Sequence, residues 1–169
     1  HSWLDSPIGR GWTHTYAWSL TRSPGGDHIF VRKGGGGKVT FVHESSGWIP
    51  EGPGEHARLI DDETEWIFET TDFVRYVFDN TSGRSPLRRI EDPYGNQVRL
   101  FYDEEGAFGD GDPETLDRIL DTRGGEARFY HFEQRLERVE YADEDAAPGA
   151  RRLVARFQRD VELGVEMLR

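Results

Sequence analysis

Two stretches of this chain share one pattern: Leu87-Arg88-Arg89-Ile90-Glu91-Asp92-Pro93-Tyr94-Gly95 and Leu116-Asp117-Arg118-Ile119-Leu120-Asp121-Thr122-Arg123-Gly124. Leu, Arg, Ile, Asp and Gly recur at a single offset, and a third start follows at Leu136-Glu137-Arg138-Val139. Repeats spaced by about 20–50 residues are typical of stacked supersecondary units. Such units build surfaces and walls more often than catalytic pockets, so the repeat bears on function as well as on fold.

Each repeat has the pattern of a β-hairpin. Residues 87–92 alternate as a short strand does, and Asp-Pro-Tyr-Gly-Asn is a turn sequence in which Pro fixes φ and Gly accepts positive φ. Residues 97–102 alternate again and read as the returning strand. The sequence therefore predicts hairpins centred near residues 93–96 and 123–125, which successively extend an antiparallel sheet.

The same residues carry a family resemblance. Asp92-Pro93-Tyr94-Gly95-Asn96, followed by Tyr102-Asp103 and Gly106, resembles the YD repeat of Rhs and related proteins. Near the amino terminus, Ser6-Pro7-Ile8-Gly9-Arg10-Gly11-Trp12-Thr13-His14-Thr15-Tyr16 is similar to the segment that opens many Rhs cores. The resemblance covers roughly residues 6–142. It departs from the family at His131, which stands where the first repeat has Tyr102.

The resemblance implies a fold and a function. In the Rhs family, YD repeats coil as a long β-sheet into a hollow shell that encloses a toxic carboxy-terminal domain. We therefore expect an all-β fold, an antiparallel YD-repeat hairpin array that forms part of a larger curved β-sheet shell. The residues that match the family's pattern have structural roles there, as packing anchors (Trp12, Tyr16) and as turn formers (Asp92, Gly95, Asp121, Gly124).

The same resemblance implies partners and a location. The expected partners are the remainder of an Rhs-type shell, in the same or a cleaved chain, and its toxin cargo. The expected location is secreted or extracellular, with export as part of a larger protein. The alternative function is an extracellular adhesin or carbohydrate-binding YD-repeat module. An exposed row of aromatic side chains would favour that alternative, whereas buried aromatic side chains would favour the shell.

The chain divides into three predicted zones. Residues 1–63 are the opening segment of the Rhs-like core, and four consecutive glycines at 34–37 predict a flexible turn within it. Residues 64–142 are the YD-repeat hairpins. Residues 143–169 combine an acidic loop with a truncated last strand or strands. In this zone residues 151–159 place Leu153, Ala155 and Phe157 on one face, and we expect that face to need a neighbouring strand.

Composition excludes several classes of function. The 169 residues carry a formal net charge of −11, which argues against nucleic acid as a partner. Acidic residues alternate with Arg along the predicted strands, a pattern that suits ion pairing across a solvated sheet face. No apolar stretch is long enough to span a membrane. The absence of Cys removes disulfides and thiol chemistry.

Few residues are candidates for chemistry. Asp110, Asp112 and Glu114 cluster oxygen ligands that suit calcium, but an EF-hand loop needs more ligands, and we prefer a plain solvated turn. No nucleophile–base or zinc motif occurs, so we expect no catalytic activity and no cofactor. Five tryptophans either form a sugar-stacking platform or pack internally, and we favour packing: Trp3, Trp12, Trp18, Trp48 and Trp66.

Overall fold

The computed structural model describes residues 13–81, 83–102, 115–132, 135–147, 150–157, 159–160 and 167–168. In these residues all regular structure is β-strand, and every strand pairing is antiparallel. The chain contacts divide into two compact units. One unit comprises residues 14–98, and the other takes in the described residues from 99 onward.

The first unit is an eight-stranded antiparallel barrel. Its strands are β1 (Ser19–Arg22), β2 (His28–Arg32), β3 (Lys38–Glu44), β4 (Gly47–Glu51), β5 (Arg58–Asp61), β6 (Glu65–Glu69), β7 (Arg75–Asp79) and β8 (Arg84–Glu91). Each strand pairs with the next, and β8 returns to β1. The closing pairs are Ser19 with Pro86, Leu20 with Ser85 and Thr21 with Arg84. Closure satisfies the backbone groups that an open sheet would leave at its edges.

Apolar side chains fill the barrel. Alternate strand positions point to opposite faces of a sheet, and an eight-stranded barrel has an interior just wide enough to be filled by side chains. The buried apolar residues that share the inward face of the strands are Leu20, Ile29, Val31, Val39, Phe41, Leu59, Trp66, Phe68, Phe78 and Leu87, whereas Val77, next to Phe78, is buried on the opposite face. The first unit therefore has a complete core of its own.

The second unit is a meander. Its strands are β9 (Gln97–Tyr102), β10 (Leu116–Leu120), β11 (Glu126–Phe132), β12 (Arg135–Ala142) and β13 (Arg152–Arg156), and β9 to β13 pair in sequence order. A separate two-stranded pairing joins β14 (Arg159–Asp160) and β15 (Met167–Leu168). Its buried apolar side chains come from β9, β10 and β12: Leu100, Leu116, Ile119 and Leu136.

The predicted all-β antiparallel hairpin array is confirmed. Turns lie at residues 92–96 and 121–125, where the sequence predicts them, and the glycine run forms the β2–β3 turn. The closed barrel differs from the expectation of an open, extending sheet. It arises because β1 has two partners, β2 and β8, so the amino-terminal side of the array is not an edge. The three sequence zones stay a prediction.

Candidate functional site

The first repeat turn is built around one carboxylate. Oδ1 of Asp92 accepts hydrogen bonds from the backbone N–H groups of Tyr94 (2.8 Å) and Asn96 (2.9 Å). The N–H of Gly95 donates to the Asp92 carbonyl at 3.1 Å, and Gly95 has φ of +85°. This is the three-residue hairpin loop in which a Gly in the left-handed region follows a tight turn. The Asn96 side chain, with these backbone donors, holds the pKa of Asp92 below its ordinary value.

The second repeat turn reproduces these hydrogen bonds. Oδ1 of Asp121 accepts from the N–H groups of Arg123 (2.8 Å) and Gly125 (2.9 Å). The N–H of Gly124 donates to the Asp121 carbonyl at 3.1 Å, and Gly124 has φ of +84°. The two sequence repeats are therefore also repeats in three dimensions. The described geometry gives all four residues named as turn formers that role.

The two turns differ at the other carboxylate oxygen. In the first turn, the Asn96 amide donates to Oδ2 of Asp92 at 2.7 Å. The second turn has Gly125 at this position, and the Tyr141 hydroxyl, from β12, donates to Oδ2 of Asp121 at 3.3 Å. A Cβ on Gly125 would collide with that hydroxyl. A donor from the neighbouring hairpin thus replaces the local one and ties two successive hairpins together.

Ion pairs run across the barrel strands. Glu69 of β6 lies opposite Arg58 of β5 and Arg75 of β7, and contacts them at 3.3 Å and 3.0 Å. Its side chain is only 4% exposed, so the two guanidinium groups compensate a buried charge. Glu65 receives two hydrogen bonds from Arg89, at 2.5 Å and 2.8 Å. The alternation of acid and arginine is therefore structural pairing.

The second unit has a similar charge cluster. Glu126 contacts Arg128 at 2.8 Å, Arg118 at 3.5 Å and Arg151. Burial raises the pKa of Glu126, but hydrogen bonds from Arg151 and Arg128 outweigh burial, and the net pKa lies below its ordinary value. Three guanidinium groups thus share one carboxylate, and these contacts join β10, β11 and the residue before β13.

One aromatic cluster joins the residue before β1 to β6 and β7. Trp18 stacks on Tyr76 with ring centroids 3.9 Å apart and contacts Phe68 at 5.6 Å. Gly34 lies so close to Thr15 and Trp18 that a Cβ on this residue would collide with the Thr15 carbonyl and lie 2.9 Å from Nε1 of Trp18. The first glycine of the four-glycine run is therefore a packing contact between the β2–β3 turn and the indole.

A second aromatic cluster lies among β3, β4 and β6. Trp48 meets Trp66 edge to face at 5.6 Å, and His43 meets Trp48 at 4.9 Å. The indole N–H of Trp66 donates to Oδ1 of Asn80 at 2.9 Å. The guanidinium of Arg22 lies 5.2 Å from the Trp66 ring centroid. These contacts give the buried indole both apolar and polar partners.

The tryptophans therefore support internal packing over a sugar-stacking platform. Trp18, Trp48 and Trp66 each contact other aromatic side chains within the first unit. Trp3 and Trp12 lie outside the described residues.

One group resembles a hydrolase triad in composition only. Oδ1 of Asp27 accepts from the Ser23 hydroxyl at 2.8 Å and lies 3.0 Å from Nδ1 of His28. The hydrogen bond with Asp27 raises the pKa of His28, and the same contact lowers the pKa of Asp27. Nucleophilic activation needs the imidazole between the hydroxyl and the carboxylate. Here the carboxylate is in the middle, so the group is a turn cap.

The predicted calcium residues Asp110, Asp112 and Glu114 lie outside the described residues. In the described part of the chain, no group of three or more His, Asp or Glu side chains is arranged to hold a metal ion. Tyr16, implied as a packing anchor, is half-buried.

The sequence does not single out three exposed aromatic side chains, Phe73, Tyr94 and Phe132, of which the first two lie in turns. Phe73, in the β6–β7 turn, is 63% exposed, and Tyr94, in the turn after β8, is 90% exposed. Arg75 pairs with Glu91, so both turns project from the same end of neighbouring barrel strands. The sequence signal that could have identified Phe73 and Tyr94 is an aromatic residue within a polar turn segment.

Strand β13 presents an apolar edge. In the described part of the chain β12 is its one hydrogen-bonding neighbour. Leu153 and Val154 are 56% and 59% exposed, and the register of β13 with β12 shifts at Val154. That the face of Leu153, Ala155 and Phe157 needs a neighbouring strand stays a prediction.

No protein-family model matches this chain, and comparison with curated proteins gives no significant match. Among the described residues, no helix is long and apolar enough to cross a membrane.

Proposed function

We propose that this chain is a structural segment of a YD-repeat, Rhs-type β-shell that encloses or presents a toxin or effector domain. The observation that carries the proposal is the pair of equivalent turns. Asp92 and Asp121 cap their turns with the same two backbone hydrogen bonds, and Tyr141 links the second turn to the following hairpin. A turn that recurs and is tied to its successor suits a wall assembled hairpin by hairpin.

The same proposal assigns a partner to β13. An exposed strand edge with apolar side chains is a template for a further strand. Arg152 and Arg156 of β13 form no ion pair with any described residue, so this edge of an otherwise acidic protein offers positive charge. We infer that the next hairpins of the same or a cleaved shell polypeptide pair here, in a secreted or extracellular protein. The described charge clusters are cohesive, and the proposed role includes no catalysis.

The test is co-purification of the tagged chain with the remainder of its parent polypeptide, expressed separately. We expect a stable complex that is lost when Leu153 and Val154 are both changed to Lys. The matched control is Ile49→Lys, at an exposed apolar position of the barrel. Absence of a complex with the unaltered chain, or a complex unaffected by the β13 double variant, would refute the shell role.

A second candidate function is an adhesin or carbohydrate-binding module. The observation that favours it is the barrel itself, which closes between β1 and β8 and has a complete apolar core. Such a unit needs no neighbouring strand for its stability. A monomeric chain with a cooperative unfolding transition and no affinity for the remainder of its parent would favour this candidate over the shell.

A further inference from the structure

Two aromatic rings stand in solvent at one end of the barrel. Phe73 and Tyr94 occupy the turns at the same end of neighbouring strands, and both are mostly exposed. Single exposed apolar residues are ordinary in soluble proteins, whereas two large rings on adjacent hairpin tips form a potential contact surface. Their turns are held rigidly, because Asp92 caps one and Thr70 bonds both Val74 and Asp72 in the other.

Phe73 is also held in an unfavourable backbone conformation. Its φ is +61°, in the left-handed region that bulky residues rarely adopt. Gly would adopt this conformation without a steric penalty. A phenylalanine that costs backbone energy and contributes little buried area is not explained by stability. Strain of this kind concentrates at sites of recognition.

The polar groups beside the rings indicate the chemistry of a ligand. Asp72 and Asn96 are exposed next to Phe73 and Tyr94, and they offer a carboxylate and an amide. A pyranose has an apolar C–H face that stacks on an aromatic ring, and hydroxyls that bond carboxylate and amide groups. The carboxylates of Asp72 and Asp92, in a chain of net charge −11, disfavour phosphates and acidic sugars.

We propose that Phe73 and Tyr94 form a binding site for a neutral polysaccharide, with Asp72 and Asn96 as hydrogen-bonding groups. The site is independent of the shell role and would supply the ligand class of the second candidate function. A protein partner would use the same exposed rings, and the test separates the two.

The test is affinity electrophoresis of the full 169-residue chain in gels that contain a soluble β-glucan, a galactomannan or the acidic polymer polygalacturonate. We expect retardation by at least one neutral polymer and none by polygalacturonate. Phe73→Ala and Tyr94→Ala should each weaken retardation about three- to tenfold, the usual worth of one ring contact. The control Phe132→Ala, at an exposed aromatic residue of β11, should leave retardation unchanged.

Phe73→Gly separates binding from stability. It should abolish retardation yet raise Tm by about 2–4 °C, because it relieves the strained φ. A lower Tm would mean that the ring serves packing and would overturn the proposal. The proposal would also be overturned if no neutral polymer retarded the chain, or if all variants were retarded equally. The Phe73 and Tyr94 variants should still bind the remainder of the parent protein, so failure here is distinguishable from failure of the shell role.

Discussion

Replacing Gly125 by Asn would place in the second repeat turn the residue that the first turn has at the same position. A Cβ there would meet the Tyr141 hydroxyl and lie 2.6 Å from Oδ2 of Asp121. Overpacking costs about 1–3 kcal/mol. Displacing the Tyr141 hydroxyl also removes its hydrogen bond to Asp121. Hydrogen bonds to charged groups contribute about 1.5–3 kcal/mol, and we take the lower value because this contact is long, at 3.3 Å. We therefore expect Gly125→Asn to destabilise the second unit by about 2.5–4.5 kcal/mol.

The loss of stability caused by Gly125→Asn should be smaller when the Tyr141 hydroxyl is absent. Tyr141→Phe deletes the hydroxyl and keeps the ring, over which Arg152 lies at 5.4 Å. In the double variant the new amide can donate to Asp121, as Asn96 donates to Asp92. Residues in direct contact show coupling energies of about 0.5–3 kcal/mol. We expect the free energy of unfolding of the double variant to be about 1–2 kcal/mol higher than the value obtained by adding the effects of the two single substitutions.

Two measurements together test this reasoning. Urea unfolding followed by circular dichroism gives the free energy of unfolding, and amide hydrogen exchange over residues 121–127 reports the turn itself. Asn96→Gly is the control, since it removes the hydrogen bond to Asp92 and creates no collision, and its cost should be about 1.5 kcal/mol, below that of Gly125→Asn. If Gly125→Asn leaves exchange unchanged, or Tyr141→Phe gives no recovery, the two turns are not equivalent in the way described.

Three further predictions follow from the same contacts. Gly34→Ala should destabilise the barrel by about 1–3 kcal/mol and red-shift Trp18 emission, whereas Gly35→Ala, which meets nothing within 4 Å, should be close to neutral in thermal unfolding. Glu69→Leu should cost no more than about 1 kcal/mol in urea unfolding, whereas removing both of its arginines should cost about 3 kcal/mol, because a buried carboxylate then lacks compensation. The pKa of Asp92 is lower in the folded state than in the unfolded state. The stability that the ionised Asp92 side chain gives to the turn should therefore be complete above the unfolded-state pKa and be lost as the pH falls through the folded-state pKa. Amide protection of the turn, measured by NMR and corrected for intrinsic exchange, should therefore decrease only below about pH 3.8.

Local features of this fold were predictable because they depend on neighbouring residues. The Asp-to-Gly spacing at Asp92 and Asp121 encodes a capped turn whose donors lie within four positions. Alternation within residues 87–92 and 97–102 likewise predicted the strands β8 and β9. The fold class therefore followed from short-range patterns.

Barrel closure and the exposed rings were not predictable in the same way. The pairing of Leu20 with Ser85 joins positions far apart in sequence, and no periodicity within either strand specifies its partner. The contact between Tyr141 and Asp121 likewise depends on which hairpin follows in space. The sequence around Phe73 does not predict its left-handed backbone conformation, because that conformation is expected at Gly or Asn and not at Phe.

The closure between β1 and β8 also sets an order of events during folding. Every other pairing of the barrel joins consecutive strands, so those hairpins can form as soon as their residues are available. The closing pair must wait for Ser85, and long-range contacts of this kind slow folding. The seven strands that precede β8 cannot close the barrel, so their inward apolar side chains become fully enclosed only after β8 has been synthesised. The completeness of this core therefore depends on the last barrel strand to leave the ribosome.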